Sequence, residues 1–190
     1  MDIDINLIEM RRDIKLSATK NNIVFIGFMG SGKTTIGRTV SKKLGRLFLD
    51  VDTLIESREN REIMDIFRED GESYFRNLER ETAQLLKSSV DNSIIAVGGG
   101  FPTAVENIQE LGYIVYLDID FDFMIEELKK SKEEFSKRPL LQEVEIARKI
   151  YESRKEIYQN SCNIKYEVKN TDFVKIADEV IGILKREGVI

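Results

Sequence analysis

Residues 27–34 read GFMGSGKT, a spacing of glycines, lysine and threonine that is typical of a loop surrounding phosphate groups. The glycines let successive backbone N–H groups turn inward onto phosphate oxygens. Lys33 supplies a mobile positive charge, and Thr34 offers a hydroxyl to Mg²⁺. The segment therefore predicts a nucleotide-phosphate site, whose contacting residues we expect to be Gly30, Ser31, Gly32, Lys33, Thr34 and Thr35.

The sequence on both sides of this loop supports the same interpretation. The apolar run 23–26 precedes the loop and predicts a buried strand, and residues 35–44 predict a helix whose positive end faces the phosphates. A glycine-rich turn that matches the pattern by accident is disfavoured, because strand, loop and helix follow one another in the order that phosphate binding requires.

Composition limits the remaining function classes. The chain has 190 residues and a formal net charge of −5, from 29 Lys and Arg against 34 Asp and Glu, which argues against a nucleic-acid binder. Cys162 is the only cysteine, so no intrachain disulfide can form and a reducing compartment is expected. No signal peptide or apolar stretch of 18 residues is recognisable, and we expect a cytoplasmic monomer.

The absence of histidine restricts the acid–base chemistry. With no histidine in the chain, any general base must be a carboxylate, a lysine, a tyrosine, the cysteine or water. Cys162 itself is expected to be a small buried apolar residue, and the tyrosines are expected to be structural.

Five short β-branched or aromatic runs predict buried strands at 23–27, 47–50, 93–97, 113–117 and 163–168. Apolar residues at spacings of three and four predict helices between them. Strands that alternate with helices indicate an α/β fold with a five-stranded parallel sheet covered by helices on both faces, and with the ligand at the carboxyl ends of the strands. Pro102 is placed to begin a helix that Gly112 closes.

Residues 21–190 are predicted to form a single domain, with a substrate-binding region at about 50–80. Residues 1–20 carry apolar side chains at helical spacing and predict an N-terminal helical extension, which serves either for packing or for binding a partner. The charged stretch 129–137 predicts a mobile, solvated loop, and we expect a lid at about 129–146.

Further residues with chemical potential follow the strands. Asp50 and Asp52 are spaced by one, which would place both carboxylates on the same face of an extended segment at the mouth of the sheet. A triple glycine, 98–100, follows the third strand, while Arg76 lies between these two segments and Arg138 follows the charged stretch.

Together with the phosphate loop, these segments closely resemble the shikimate kinases, a family of small P-loop kinases related in fold to the nucleoside monophosphate kinases. The resemblance covers residues 23–184, which is nearly everything except the N-terminal extension. It implies ATP-dependent transfer of a phosphoryl group to the 3-hydroxyl of shikimate, in aromatic amino-acid biosynthesis. ATP and shikimate would be the partners, with Mg²⁺ as cofactor.

The resemblance also implies roles for individual residues. Asp50 would support Mg²⁺ through water, together with Thr34, while Asp52 would contact shikimate hydroxyls and take the proton of the attacking one. Arg76 and Arg154 would hold the substrate carboxylate, for which the planar guanidinium fork is well suited.

Three further roles follow from the same resemblance. Gly98, Gly99 and Gly100 would bring backbone N–H groups close to the substrate, where side chains would block the approach. Arg138 would move in with the lid and neutralise the transferring phosphoryl group. Asn170, with Thr171, would form one wall of the adenine site.

One segment departs from the family pattern. Relatives often carry an arginine that stacks on adenine from the helix after the fourth strand, whereas residues 125–129 here read IEELK. We therefore expect looser base selectivity than the family norm.

Several alternatives remain at this stage. Arg76 could form a surface ion pair with Glu79, which is compatible with substrate binding because Glu79 could orient it. Other basic residues near Arg154 compete for its role, and the two aspartates could serve turn chemistry. A gluconate kinase of the same fold would share the phosphate loop but has no obvious use for Asp52, Arg76 and the triple glycine. A catalytically silent regulator would lack this substrate set.

Overall fold

The computed structural model describes residues 20–131, 135 and 139–190, and its centre is a five-stranded, fully parallel sheet. The strand order is β2-β3-β1-β4-β5. The central strand β1 pairs with β3 on one side and β4 on the other, so that Ile23 lies opposite both Ile94 and Tyr113. The strands are β1 (Ile23–Ile26), β2 (Leu47–Asp50), β3 (Ser93–Ala96), β4 (Tyr113–Ile119) and β5 (Ile164–Val168).

Helices connect the strands and cover the sheet. Within the described ranges they are α1 (Lys33–Leu44), α2 (Val51–Glu59), α3 (Ile63–Glu69), α4 (Gly71–Ser89), α5 (Phe101–Ala104), α6 (Phe121–Lys129), α7 (Pro139–Gln142), α8 (Val144–Ser161) and α9 (Phe173–Arg186). Helix α1 packs on α9 and on β1, β2 and β3, while α8 packs on β4 and α5, and α5 packs on α4. Because all strands run in the same direction, the loops after them meet at one edge of the sheet.

All five predicted strands are present within about two residues of their predicted limits. The prediction that each is buried is wrong for β2 and β5, because these are the edge strands of the sheet. Leu47 at the start of β2 is 74% exposed, whereas every residue of β1 is buried.

The predicted helix between Pro102 and Gly112 is also incorrect. Helix α5 ends at Ala104, and a separate 3₁₀ turn covers Ile108–Leu111. The β-branched Val105 takes an extended conformation and Asn107 a left-handed one (φ 53°), so the helical hydrogen bonding cannot continue.

Two predicted segments lie wholly or partly outside the described residues. The N-terminal extension 1–20 does so except for Lys20, and the lid at 129–146 does so at 132–134 and 136–138, which include Arg138. Within the described ranges, no helix is both long and apolar enough to cross a membrane.

Candidate active site

The phosphate loop lies between the end of β1 and the start of α1, as its sequence predicts. Gly30 and Gly32 have left-handed backbones with φ of +84° and +86°, which glycine adopts without a steric penalty. A methyl group on Gly32 would lie 3.0 Å from the Phe173 ring, so the loop also has little lateral room. Helix α1 begins at Lys33 and directs its unsatisfied N–H groups toward the loop, which favours a bound anion.

Lys33 and Thr34 both take up positions suited to phosphate chemistry. The Lys33 ammonium donates to the carbonyl oxygens of Gly27 and Phe28 at 2.9 Å each, which holds its charge across the loop. The Thr34 hydroxyl donates to Asp50 Oδ2 at 2.8 Å. Thr35 is exposed in the first turn of α1, next to this pair. The structure therefore brings together the two residues predicted to serve Mg²⁺.

A magnesium ion fits this pair of donors. Mg²⁺ prefers oxygen ligands and is usually held by one or two protein groups, with phosphates and waters completing its shell. Thr34 and Asp50 supply a hydroxyl and a carboxylate. Among the described residues, no group of three or more His, Cys, Asp or Glu could bind a metal without such help.

Asp50 and Asp52 do not lie on one extended segment, which corrects the geometry expected from their spacing. Asp50 ends β2 and is the N-cap of α2, accepting from the backbone N–H of Asp52 at 3.2 Å and of Thr53 at 3.5 Å. Asp52 stands in the first helical turn. The competing interpretation of Asp50 as a turn residue is thus also correct, since a capping aspartate satisfies helix N–H groups.

Asp52 is the most perturbed acid of the site. Its Oδ1 is buried and has no hydrogen-bond partner among the described residues. Burial raises the pKa of Asp52 to about 7, the nearby charge of Asp50 adds to the rise, and Lys33 opposes it. A carboxylate with a pKa near the working pH is well matched to accepting a proton.

Arg76 is held by two carboxylates from its own helix. Its NH1 donates to Glu79 Oε2 at 2.7 Å, while its Nε and NH2 both donate to Glu72 Oε1 at 3.1 and 2.8 Å. Glu79 is 0% exposed, and burial raises its pKa. The ion pair that the sequence offered as an alternative for Arg76 is therefore present, with a second acid beyond it.

The triple glycine makes close contacts between these groups. A methyl group on Gly98 would lie 2.7 Å from Asp52 Oδ1 and 3.3 Å from Glu79 Oε1. A methyl group on Gly100 would overlap the Arg76 guanidinium, and one on Gly99 would lie 3.3 Å from the Met29 nitrogen of the phosphate loop. The glycines thus join the acceptor side of the site to its phosphate side.

Arg154 reaches the same region from α8. Its positive charge opposes the rise in the pKa of both Glu79 and Tyr158, so its side chain lies near both groups. The Tyr158 hydroxyl donates to the Gly99 carbonyl oxygen at 2.5 Å. Sequence reasoning treats the tyrosines as structural and misses this contact. The one signal for Tyr158 is its position one turn after Arg154, which puts both on one helix face.

The remaining predicted residues lie on the nucleotide side or outside the described ranges. A methyl group on Gly30 would lie 2.8 Å from Leu128 Cδ1, so the segment 125–129 borders the phosphate loop. Asn170 accepts from the Asp172 N–H at 2.9 Å in the exposed loop before α9, whose Phe173 touches Gly32. Cys162 is partly buried rather than fully buried, and burial raises the pKa of its thiol.

Comparison with known proteins identifies the family. The sequence model of the shikimate kinase family matches residues 29–185. A shikimate kinase of Helicobacter hepaticus is 40% identical over 167 residues, covering 87% of this chain and 97% of the relative. A shikimate kinase of Sulfurihydrogenibium is 35% identical, covering 87% and 98%.

Solved structures agree with the sequence relatives. Shikimate kinase from Acinetobacter baumannii, in complex with shikimate, superposes with a TM-score of 0.78 at 28% identity, covering 92% of this chain and 98% of that one. A gluconokinase from Sinorhizobium meliloti, at 15% identity and a TM-score of 0.54, shares the fold only. The chain belongs to the shikimate kinase family.

Proposed function

We propose that this chain transfers the γ-phosphate of ATP to the 3-hydroxyl of shikimate, with Mg²⁺ as cofactor. One observation carries the proposal. A complete phosphate loop stands next to a buried carboxylate, two arginines and a glycine turn, and Asp52 lies close enough to Lys33 for that ammonium to lower its pKa. The family membership and the shikimate complex of the Acinetobacter relative support the choice of acceptor.

On the nucleotide side, the N–H groups of Gly30, Ser31 and Gly32 and the end of α1 bind the phosphates. Lys33 exchanges its loop carbonyl partners for phosphate oxygens and stabilises the charge that develops during transfer. Thr34 and Asp50 would hold Mg²⁺, which would neutralise part of the charge on the phosphates. Arg138, outside the described residues, is proposed to add a further positive charge to the transferring group.

On the acceptor side, Arg76 and Arg154 bind the shikimate carboxylate, and Gly99 and Gly100 offer backbone N–H groups. Asp52 orients the 3-hydroxyl and receives its proton late in the transfer, because the transition state of phosphoryl transfer is loose. The pKa near 7 supports this role, since Asp52 is substantially ionised at neutral pH yet basic enough to accept a proton. In this proposal Glu79 fixes the direction of Arg76 through their short ion pair.

Asn170 remains the proposed residue of the adenine wall, and the stretch Ile125 to Lys129 offers no arginine to stack on the base. The monomeric state and cytoplasmic location expected from the sequence also remain predictions. Light scattering coupled to size exclusion tests the first.

The decisive test is a coupled assay of ADP release with shikimate, with gluconate and with no acceptor. Phosphorus NMR of the product then identifies the modified hydroxyl. Shikimate-dependent ADP release with a 3-phosphate product supports the proposal. Equal ADP release with gluconate, or ADP release without any acceptor, overturns the proposal. Neither result requires a site in which Arg76 and Arg154 recognise the carboxylate of a cyclic acceptor.

A further inference from the structure

Tyr158 contacts the glycine turn of the acceptor side, and its ring is fully buried. The ring packs on that of Tyr116, with centroids 5.2 Å apart and an interplanar angle of 38°. The rigid packing fixes the hydroxyl, which donates to the Gly99 carbonyl oxygen at 2.5 Å. The Tyr158 hydroxyl therefore fixes the carbonyl of Gly99, the middle residue of the glycine turn.

The same hydroxyl lies close enough to Arg154 for the positive charge of the guanidinium to act on it. A phenol has one proton to give and two lone pairs that accept. The proton goes to Gly99, so the lone pairs of the Tyr158 oxygen remain available to the positive charge of Arg154. Arg154 and Tyr158 are four residues apart in α8, which brings both side chains to one face of the helix.

Burial raises the pKa of Tyr158 to about 12, although the positive charge of Arg154 opposes the rise. The phenol keeps its proton at neutral pH, so its bond to Gly99 persists over the whole range in which a kinase is assayed. A trans peptide unit places its C=O and the following N–H on opposite sides. Holding the Gly99 carbonyl on Tyr158 therefore directs the Gly100 N–H away from it.

We infer that Tyr158 is a positioning residue for the acceptor: its hydroxyl holds the glycine turn through the Gly99 carbonyl, so that the Gly100 N–H keeps a fixed place near the carboxylate-binding Arg154. The inference rests on the proposed function, because it assigns Tyr158 to the same acceptor site. It differs from a packing role, which the ring alone performs. The hydroxyl is the functional part.

Tyr158→Phe keeps the ring and removes only the hydroxyl. We expect the KM for shikimate to rise about fivefold, the size usual for losing one neutral hydrogen bond of about 1 kcal/mol. The KM for ATP should stay within about twofold, because the phosphate loop keeps its own contacts. Tyr151→Phe is the matched control. Tyr151 lies in the same helix, is also buried and donates to a backbone carbonyl, that of Ile119, at 3.0 Å.

A merely structural hydroxyl would lower the melting temperature of both variants alike and leave the shikimate KM unchanged in both. That result overturns the inference, as does an equal rise in KM for shikimate and ATP. A double-mutant cycle with Arg154→Ala adds a second readout. If Tyr158 positions the glycine turn for the same carboxylate that Arg154 binds, the double variant should raise the shikimate KM by clearly less than the product of the single effects, whereas a simple product overturns that link.

Failure of the proposed function would look different. The wild-type protein would then show no shikimate-dependent ADP release at all. Failure of the inference about Tyr158, by contrast, requires a wild type that phosphorylates shikimate, together with one of the contrary results just given for Tyr158→Phe.

Discussion

The two halves of the active site are built in opposite ways. The phosphate half is one continuous segment, residues 27–34, whose backbone is proposed to perform most of the binding, and the hydrogen bond of Thr34 to Asp50 connects it to a distant element. The acceptor half combines Asp52 from α2, Arg76 and Glu79 from α4, the glycine turn and two residues of α8. Between 18 and 53 residues of chain separate the members that come from successive elements, as their numbers in the sequence show.

This difference affects how each half responds to mutation. A site made of backbone N–H groups depends on local conformation, and the side chains of most of its residues contribute little. A site assembled from four elements depends on the packing that holds those elements in register. We therefore expect single substitutions in the phosphate half to cause large losses of turnover, and those in the acceptor half to cause graded losses of acceptor affinity. Asp52 belongs to the acceptor half, but its substitution is expected to lower turnover.

Asp52→Asn should give the largest effect. The amide keeps the size and part of the hydrogen bonding but neither charge nor basicity, so we expect kcat to fall by about 10²–10⁴. Binding of an ATP analogue, measured by calorimetry, should persist, because Asp50 keeps its bond to Thr34. A loss below fivefold in a folded variant would show that Asp52 only shapes the pocket.

The same substitution should stabilise the metal-free protein. Because the pKa of Asp52 is raised from 3.8 to about 7, the folded state keeps a proton that the unfolded chain releases, and the stability from this group declines as pH rises through that window. The amide side chain cannot ionise, so Asp52→Asn should melt higher than wild type at pH 8 and at the same temperature near pH 3. Asp65→Asn, which changes an aspartate of an exposed ion pair, is the control.

Lys33→Ala should lower turnover by about 10²–10³, the usual cost of removing one preorganised charge from a transition state. The fold should remain intact, since the ammonium contacts loop carbonyls and not the core. Lys43→Ala removes the same charge at the other end of α1, from an exposed pair with Asp178, and should leave turnover unchanged. Retention of more than half of the wild-type turnover in Lys33→Ala would refute the phosphate-loop assignment.

The contrast between the halves also explains what the sequence could predict. The phosphate loop and the five strands are local patterns; the loop lies between a strand and a helix as predicted, and all five strands are present, although β2 and β5 are less buried than predicted. The predicted geometry of Asp50 and Asp52 is wrong because the capping of α2 replaces an extended segment with a helical turn. The contact of Tyr158 could not be predicted because its partner, the Gly99 carbonyl, lies 59 residues away in the sequence, and a buried tyrosine resembles any core aromatic.

Arg76→Ala tests whether the acceptor half responds in binding rather than in turnover. We expect the KM for shikimate to rise by about 10–100-fold, because the guanidinium offers charge-assisted hydrogen bonds to a carboxylate, while the KM for ATP hardly changes. The melting temperature should also fall, since the buried Glu79 loses its partner. Arg58→Ala, which removes an arginine from an exposed pair with Glu81, should alter neither constant. A fall in kcat without a rise in KM would contradict the proposed role.

Base selectivity tests the nucleotide side beyond the phosphates. Stacking of a cation on an aromatic face contributes roughly 0.5–2 kcal/mol, and no arginine is present in the stretch 125–129 to provide it. We expect GTP and CTP to be used with kcat/KM values within about tenfold of that for ATP. If Lys129 partly replaces the arginine, Lys129→Ala should bring the kcat/KM values for GTP and CTP still closer to that for ATP. Strong preference for ATP in both proteins would mean that another residue recognises adenine.

Glu72→Gln should have the smallest effect and the opposite sign. Glu72 is 65% exposed and accepts twice from Arg76, at the guanidinium edge formed by Nε and NH2, whereas the buried Glu79 holds NH1. A planar edge with two parallel N–H groups is the part of arginine that matches a carboxylate best. Glu72 therefore competes with the acceptor for Arg76, and Glu79 does not.

An exposed ion pair contributes about 0.2–1 kcal/mol, so its removal should lower the shikimate KM by no more than about fivefold. Added salt should shrink the difference between Glu72→Gln and wild type, because screening weakens the competing pair. Glu81 lies on the same helix as Glu72 and forms an exposed pair with Arg58 of α2. Glu81→Gln should therefore leave the KM for shikimate unchanged. If Glu72→Gln instead raises the KM, the pair with Glu72 holds Arg76 in its productive orientation. Glu72 and Glu79 would then both position the arginine, and Glu72 would not compete with the acceptor.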